Sequence, residues 1–206
     1  MGPKSLYLCR AHHLSKRVTH VGEDEFAHIQ RKRDDRFGQD VAILLPGDYC
    51  ASREPMVMYT MLGSCVSACI RDSLLGIGGM NHFLLPEPGQ PPCDTEGGPL
   101  SRYGQYAMEH LIEWLLRHGG SQDRLEVKLF GGARLHDKMS DVGRRNIEWI
   151  LEFCRRSHLN PVIADLGRFH ARGIYYFTQS GRVLLRRVPS DSEGVQQRKE
   201  DTRRDA

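Results

Sequence analysis

The sequence predicts a mixed α/β (α+β) fold, a single layered domain of sheets with two main helices. Two segments repeat apolar residues at i, i+3, i+4 and i+7, the mark of an amphipathic helix. Seven short β-rich or apolar runs surround them, bounded by turn residues and too short to be helices. Their order, strands first and then helices among strands, suits layered sheets covered by helices. A chain of 206 residues suits one domain and hides roughly 70% of its unfolded surface.

Taken in order, residues 1–39 read as a charged N-terminal extension. Within them Gln30–Gln39 holds Arg31, Lys32, Arg33, Asp34, Asp35 and Arg36, with Phe37 its one large apolar side chain. Such a mixed-charge block reads as a solvated or loose segment, so ordered structure is expected to begin at Val41. There VAILL is closed by Pro46-Gly47-Asp48. Strands are expected at 57–62, 66–70, 126–130 and 161–164, and a hairpin at 174–188 turns on Gln179-Ser180-Gly181. The first helix spans 101–118 on Met108, Leu111, Ile112 and Leu115, with Gly119-Gly120 as its stop. The second spans 140–158 on Ile147, Ile150, Leu151 and Cys154, with Ser140 or Asp141 as N-cap. Residues 86–100 form a Pro/Gly loop long enough for a mobile lid. Residues 190–206 hold too little apolar surface to offset the entropy of ordering and read as a disordered tail. The domain proper is thus expected at 40–189.

Lys and Arg total 29 against 26 Asp and Glu, a net charge of +3. That balance does not suit a dedicated nucleic-acid binder. No apolar run is long enough for a membrane helix, and the first twenty residues lack the apolar stretch of a secretory signal. A cytoplasmic location and no membrane insertion are expected. The six cysteines include no CxxC pair, so a structural zinc site is poorly supported and free thiols are expected.

Gly63-Ser64-Cys65 lies between two strand-like runs, where small residues allow a sharp turn that leaves a sulfur accessible. A free cysteine is more often a small buried hydrophobe, and that reading stands beside the nucleophilic one. His82, in Gly78-Gly79-Met80-Asn81-His82, lies 17 residues on. Two strands joined by a turn would return it to Cys65, where it would ionise the thiol near neutral pH. A strand histidine is more often a hydrogen-bonded core residue. Thr60 is a candidate for orienting the imidazole, and equally a β-favouring strand residue. The backbone around Gly63, Ser64 and Cys65 is a candidate oxyanion site, and Asn81 a further substrate contact. Phe130-Gly131-Gly132-Ala133 lacks a P-loop's Lys-Ser/Thr and reads as close backbone packing. Arg144 and Arg145 read as solvent-facing. Asn146 shares a stripe with Ile150 and points either inward to a site wall or to the core. Cys69 reads as core.

LGSCVSACIRD and GIGGMNHFLLP, followed by RYGQYAMEHLI, KLFGGARL, SDVGRRNIEWILEF and GRVLLRRV, resemble the CheD family of chemoreceptor glutamine deamidases across residues 41–188. The resemblance implies a fold similar to the Cys-His deamidases of the cytotoxic necrotizing factor type. It implies Cys65 as nucleophile, His82 as general base and acid, and a threonine shortly before the cysteine as third member. Thr60 fits that place, with Tyr59 the other register. It further implies hydrolysis of selected glutamine side chains of methyl-accepting chemotaxis receptors to glutamate, with ammonia released and no metal or organic cofactor. Some members also hydrolyse receptor methyl esters, and some bind the phosphatase CheC. Two other readings stand beside this one: a non-catalytic chemotaxis adaptor that docks to receptors or to a CheC-type phosphatase, and a thiol hydrolase acting on another protein amide or ester.

Overall fold

The computed structural model describes residues 25–86, 102–134 and 142–188. The 190–206 tail, nearly all of the 86–100 loop and the Ser140/Asp141 cap lie outside the described residues. Ten strands form two five-stranded sheets among the described residues. The first sheet has the order β1 (Gln30–Asp34), β2 (Gln39–Ile43), β4 (Val57–Leu62), β9 (Ala171–Phe177), β10 (Val183–Val188). The second has the order β3 (Tyr49–Ser52), β6 (Gly78–Asn81), β5 (Val66–Asp72), β7 (Leu125–Gly131), β8 (Pro161–Leu166). Helices α1 (Gly104–Arg117) and α2 (Val142–Arg156), with a short 3-10 turn at Gln122–Arg124, complete the described elements.

The layers follow from which way two adjacent glycines face. A Cβ on Gly78 would lie 3.1 Å from the Tyr176 hydroxyl of the first sheet, whereas one on Gly79 would strike Leu111 of α1. The second sheet is therefore the middle layer, with the first sheet on one face and the helices on the other. Its centre accordingly shows no polar alternation: Val66, Ala68, Cys69 and Ile70 are all buried, as a strand covered on both faces requires. Helix α1 buries Met108, Leu111, Trp114 and Leu115 against this sheet, and α2 adds Trp149, Ile150, Phe153 and Cys154. Trp149 packs edge-on against Phe83. No helix among the described residues is long and apolar enough to cross a membrane.

The expected hairpin is present, with Val183 to Val188 paired antiparallel to Tyr176 to Ala171. Both helices lie within their expected ranges. The expectation that ordered structure begins at Val41 is corrected. The charged block forms β1, paired residue by residue with β2 from Gln30↔Ile43 to Asp34↔Gln39, and Phe26 and Ile29 are already buried in the core. β1 is an edge strand with its first four side chains exposed. Charged side chains suit such an edge, because they oppose pairing with another chain, and no apolar alternation is needed to hold it.

Candidate active site

β4 places alternate side chains on opposite faces, burying Met58, Thr60 and Leu62 toward the second sheet. Tyr59 takes the outer face, its ring tilted against that of Tyr175. Of the two residues that fit the third position, Thr60 is thus the one that faces the interior. Its Oγ1 lies 2.7 Å from His82 Nδ1 and donates to the Leu44 carbonyl at 2.8 Å. The hydroxyl has one proton, and a carbonyl can only accept. Thr60 therefore accepts a hydrogen bond from Nδ1–H, and the network assigns the imidazole tautomer with its lone pair on Nε2.

His82 is 2% exposed. Its backbone is held by the turn after β2: His82 N–H donates to Asp48 O at 2.8 Å, and Gly47 N–H donates to His82 O at 2.7 Å. Nε2 is buried and has no hydrogen-bond partner among the described residues. Burial lowers the imidazole pKa from 6.5 to about 4, against a smaller opposing effect of the Leu44 carbonyl. The ring is neutral at physiological pH.

Cys65 immediately precedes β5 and is half-buried. Val66 and Phe83 form an antiparallel bridge, with N–H donated each way at 3.1 and 3.0 Å. Across that bridge Cys65 and His82 are diagonal neighbours on one face, roughly 7 Å apart at Cβ in regular strands. Burial raises the Cys65 thiol pKa, and its own backbone N–H pulls it down by less. The free protein thus favours a neutral thiol beside a neutral imidazole. Burial disfavours charge on both the Cys65 sulfur and the His82 ring.

Three successive carbonyls around Cys65 are tied inward. Gly63 O accepts from Ala133 N–H at 2.8 Å, Ser64 O from Asn146 Nδ2 at 3.0 Å, and Cys65 O from Gly132 N–H at 2.7 Å. In a trans peptide the N–H points opposite to the C=O of the same unit. The N–H groups of Ser64 and Cys65 are therefore turned away from the turn that holds these carbonyls. Gly131-Gly132 can come this close because both have positive φ, 112° and 67°. A Cβ on Gly131 would fall on the Cys65 carbonyl, far inside contact distance.

Gly63, Ser64, Cys65, Thr60 and His82 come together at one end of the interface between the sheets. Asn81 does not join them. It neighbours His82 in sequence and so faces the helix layer, where Oδ1 accepts from Ala68 N–H at 2.8 Å and Nδ2 donates to Met108 Sδ at 3.2 Å. Asn146 is the amide that serves this region. It is fully buried and donates both to Ser64 O and, at 2.9 Å, to Leu84 O. It thereby joins the ends of the two segments that carry Cys65 and His82. Arg144 and Arg145 are exposed, and Cys69 is buried. Among the described residues no group of His, Cys, Asp or Glu side chains comes together to hold a metal ion.

The family model described as "CheD chemotactic sensory transduction" matches residues 84–187. The chain is 46% identical over 166 residues to a probable chemoreceptor glutamine deamidase CheD of Halorhodospira halophila, covering 79% of this chain and 77% of that one. A protein of the same description from Thiobacillus denitrificans is 44% identical over 160 residues, covering 75% and 77% of the two chains. Another, from Saccharophagus degradans, is 39% identical over 181 residues, covering 84% and 83%.

Proposed function

The chain belongs to the CheD family, and on that premise we propose that it is a protein-glutamine deamidase acting on chemotaxis receptors. In this reading Cys65 is the nucleophile, His82 the general base and acid, and Thr60 the group that orients His82. The layered frame is read as the Cys-His deamidase fold of the cytotoxic necrotizing factor type. The observation that carries the reading is the chain of hydrogen bonds from Leu44 O through Thr60 to His82 Nδ1, which leaves the lone pair on Nε2, the nitrogen read here as serving Cys65.

Because thiol and imidazole both rest neutral, the sulfur is activated by proton transfer during attack. Cys65 Sγ bonds to the glutamine side-chain carbonyl carbon as its proton passes to Nε2. The carbonyl oxygen becomes an oxyanion facing the Ser64 and Cys65 N–H groups, where fixed donors favour the developing charge. Nε2–H then protonates the amide nitrogen, the C–N bond breaks, and ammonia leaves a thioester on Cys65. Water, deprotonated by Nε2, attacks the thioester. The C–S bond breaks, glutamate is released, and the sulfur recovers its proton.

Incubation of a chemoreceptor cytoplasmic fragment with the protein tests this by mass spectrometry. Defined glutamines should gain the mass of amide-to-acid conversion with equal release of ammonia. Cys65→Ala and His82→Ala should leave them unchanged. Binding of the fragment without conversion by the wild-type protein would instead support an adaptor.

A further inference from the structure

Arg172 is fully buried, and its hydrogen bonds among the described residues run to the ends of β7 and β8 and to the turn that follows β8. Nη1 donates to Gly131 O at 3.1 Å, to Asp165 O at 2.6 Å and to Asp165 Oδ1 at 2.7 Å. Nη2 donates to Gly167 O and, at 3.1 Å, to His170 O. Nε is left without a partner among the described residues. A buried guanidinium is costly unless paired and hydrogen-bonded, and here the pairing is directed at one place. That place gathers unusual backbone: Gly131 and Gly132 in one loop, and Gly167 and Arg168 in the other, all have positive φ. The loops are stitched together by Gly167 N–H to Gly131 O at 2.8 Å and Arg134 N–H to Arg168 O at 2.8 Å. On the far side of the first loop lies Cys65 O, which receives Gly132 N–H.

We propose that Arg172 is a positioning residue that acts through the Gly131–Ala133 loop to aim the Ser64 N–H at the oxyanion. The fork holds Gly131 O and Gly167 O, and these fix the Gly131-Gly132 loop. The loop fixes the Cys65 carbonyl through Gly132 N–H and the Gly63 carbonyl through Ala133 N–H, and planarity of the Gly63–Ser64 peptide carries that orientation to the Ser64 N–H. Asp165 keeps the fork in place, itself held by Arg187 at 2.9 Å. The inference rests on the proposed role of Cys65 in acyl transfer, and it makes no use of which protein is the substrate.

The test exploits two reactions of the same sulfur. Iodoacetamide alkylates by displacement of iodide and develops no oxyanion. p-Nitrophenyl acetate acylates through a tetrahedral oxyanion: Sγ bonds to the acetyl carbon, the C–O bond breaks, p-nitrophenolate leaves, and the thiol proton passes to His82. Arg172→Lys keeps the charge and loses the fork. It should slow p-nitrophenolate release, and deamidation kcat, at least tenfold, with the deamidation KM within about twofold. The rate and pH profile of Cys65 alkylation should match the wild type. Should Arg172→Lys fail to fold, Asp165→Asn, which keeps the side chain's shape, is read in the same way with a smaller loss. Acylation and alkylation falling together, or neither falling, would overturn the inference. A wild-type protein that is acylated but converts no receptor glutamine would overturn the proposed function and leave this test intact.

Discussion

The one proton on the Thr60 hydroxyl decides which nitrogen of His82 is basic, because Leu44 O can only accept it. Thr60→Val, close in shape, leaves the Leu44 carbonyl and Nδ1–H without their partner. The expected loss is about 1–3 kcal/mol of stability in a denaturant titration, together with at least a tenfold fall in deamidation rate. Thr60→Ser restores both. The neutral resting pair has its own signature. Ultraviolet thiolate absorbance assignable to Cys65 should be absent at neutral pH and grow only above the ordinary cysteine range, since burial raises this thiol. A thiolate titrating below that range would contradict the neutral pair. Cys65, His82 and Thr60 stand out in the sequence through the block-wise resemblance to the CheD family, because spacing alone leaves each of them an ordinary strand or core reading. Asn81 faces away from them because adjacent strand residues point to opposite faces, which polarity alone does not reveal in the sequence. The inward turn of Asn146 showed in its helical stripe. Its two acceptors did not, because Ser64 and Leu84 are distant in sequence.

At the scale of elements, the site depends on keeping the segments around Cys65 and His82 in register, and Asn146 on α2 bridges their ends. Asn146→Leu has similar volume but deprives two carbonyls of a donor. It should cost about 1–3 kcal/mol, speed hydrogen exchange at the Val66 and Phe83 amides, and lower the deamidation rate about tenfold. Unchanged exchange at both amides would refute the bridging role. The helices and the β9–β10 hairpin were legible from periodicity and turn chemistry. β1, β3 and β6 were not. β1 is charged along an exposed edge, while β3 and β6, reading YCAS and GGMN, are short and poor in β-branched residues. Gly78 and Gly79 owe their place in β6 to close neighbours on both faces of the sheet, a tertiary demand without a local signal.

The whole molecule should register its buried titratable groups as acid sensitivity in two windows. His82 has a folded pKa of about 4 against 6.5, so between these values the unfolded chain binds a proton that the fold refuses. Stability is full above 6.5 and falls as pH drops toward 4, by about 3 kcal/mol. Asp72 behaves in the carboxylate sense. Burial alone would raise its pKa, but Arg124 and the N–H groups of Leu75, Ser121 and Leu74 outweigh that and lower it from 3.8 to about 2. Its contribution, about 2 kcal/mol, is present above 3.8 and lost as pH falls through 2. Denaturant titrations across this range should show both losses, and His82→Ala should flatten the first alone. The two-sheet order was beyond the sequence. β2 pairs in parallel with β4, and β7 with β8, across intervening segments that no local pattern specifies. The central claim concerns Cys65, and acid-quenching the reaction with a receptor peptide tests it most directly. The account predicts a covalent complex with the mass of protein plus peptide less ammonia, labile to hydroxylamine and absent in Cys65→Ala. Glutamate formed at an undiminished rate by Cys65→Ala, with no such complex in the wild type, would contradict it.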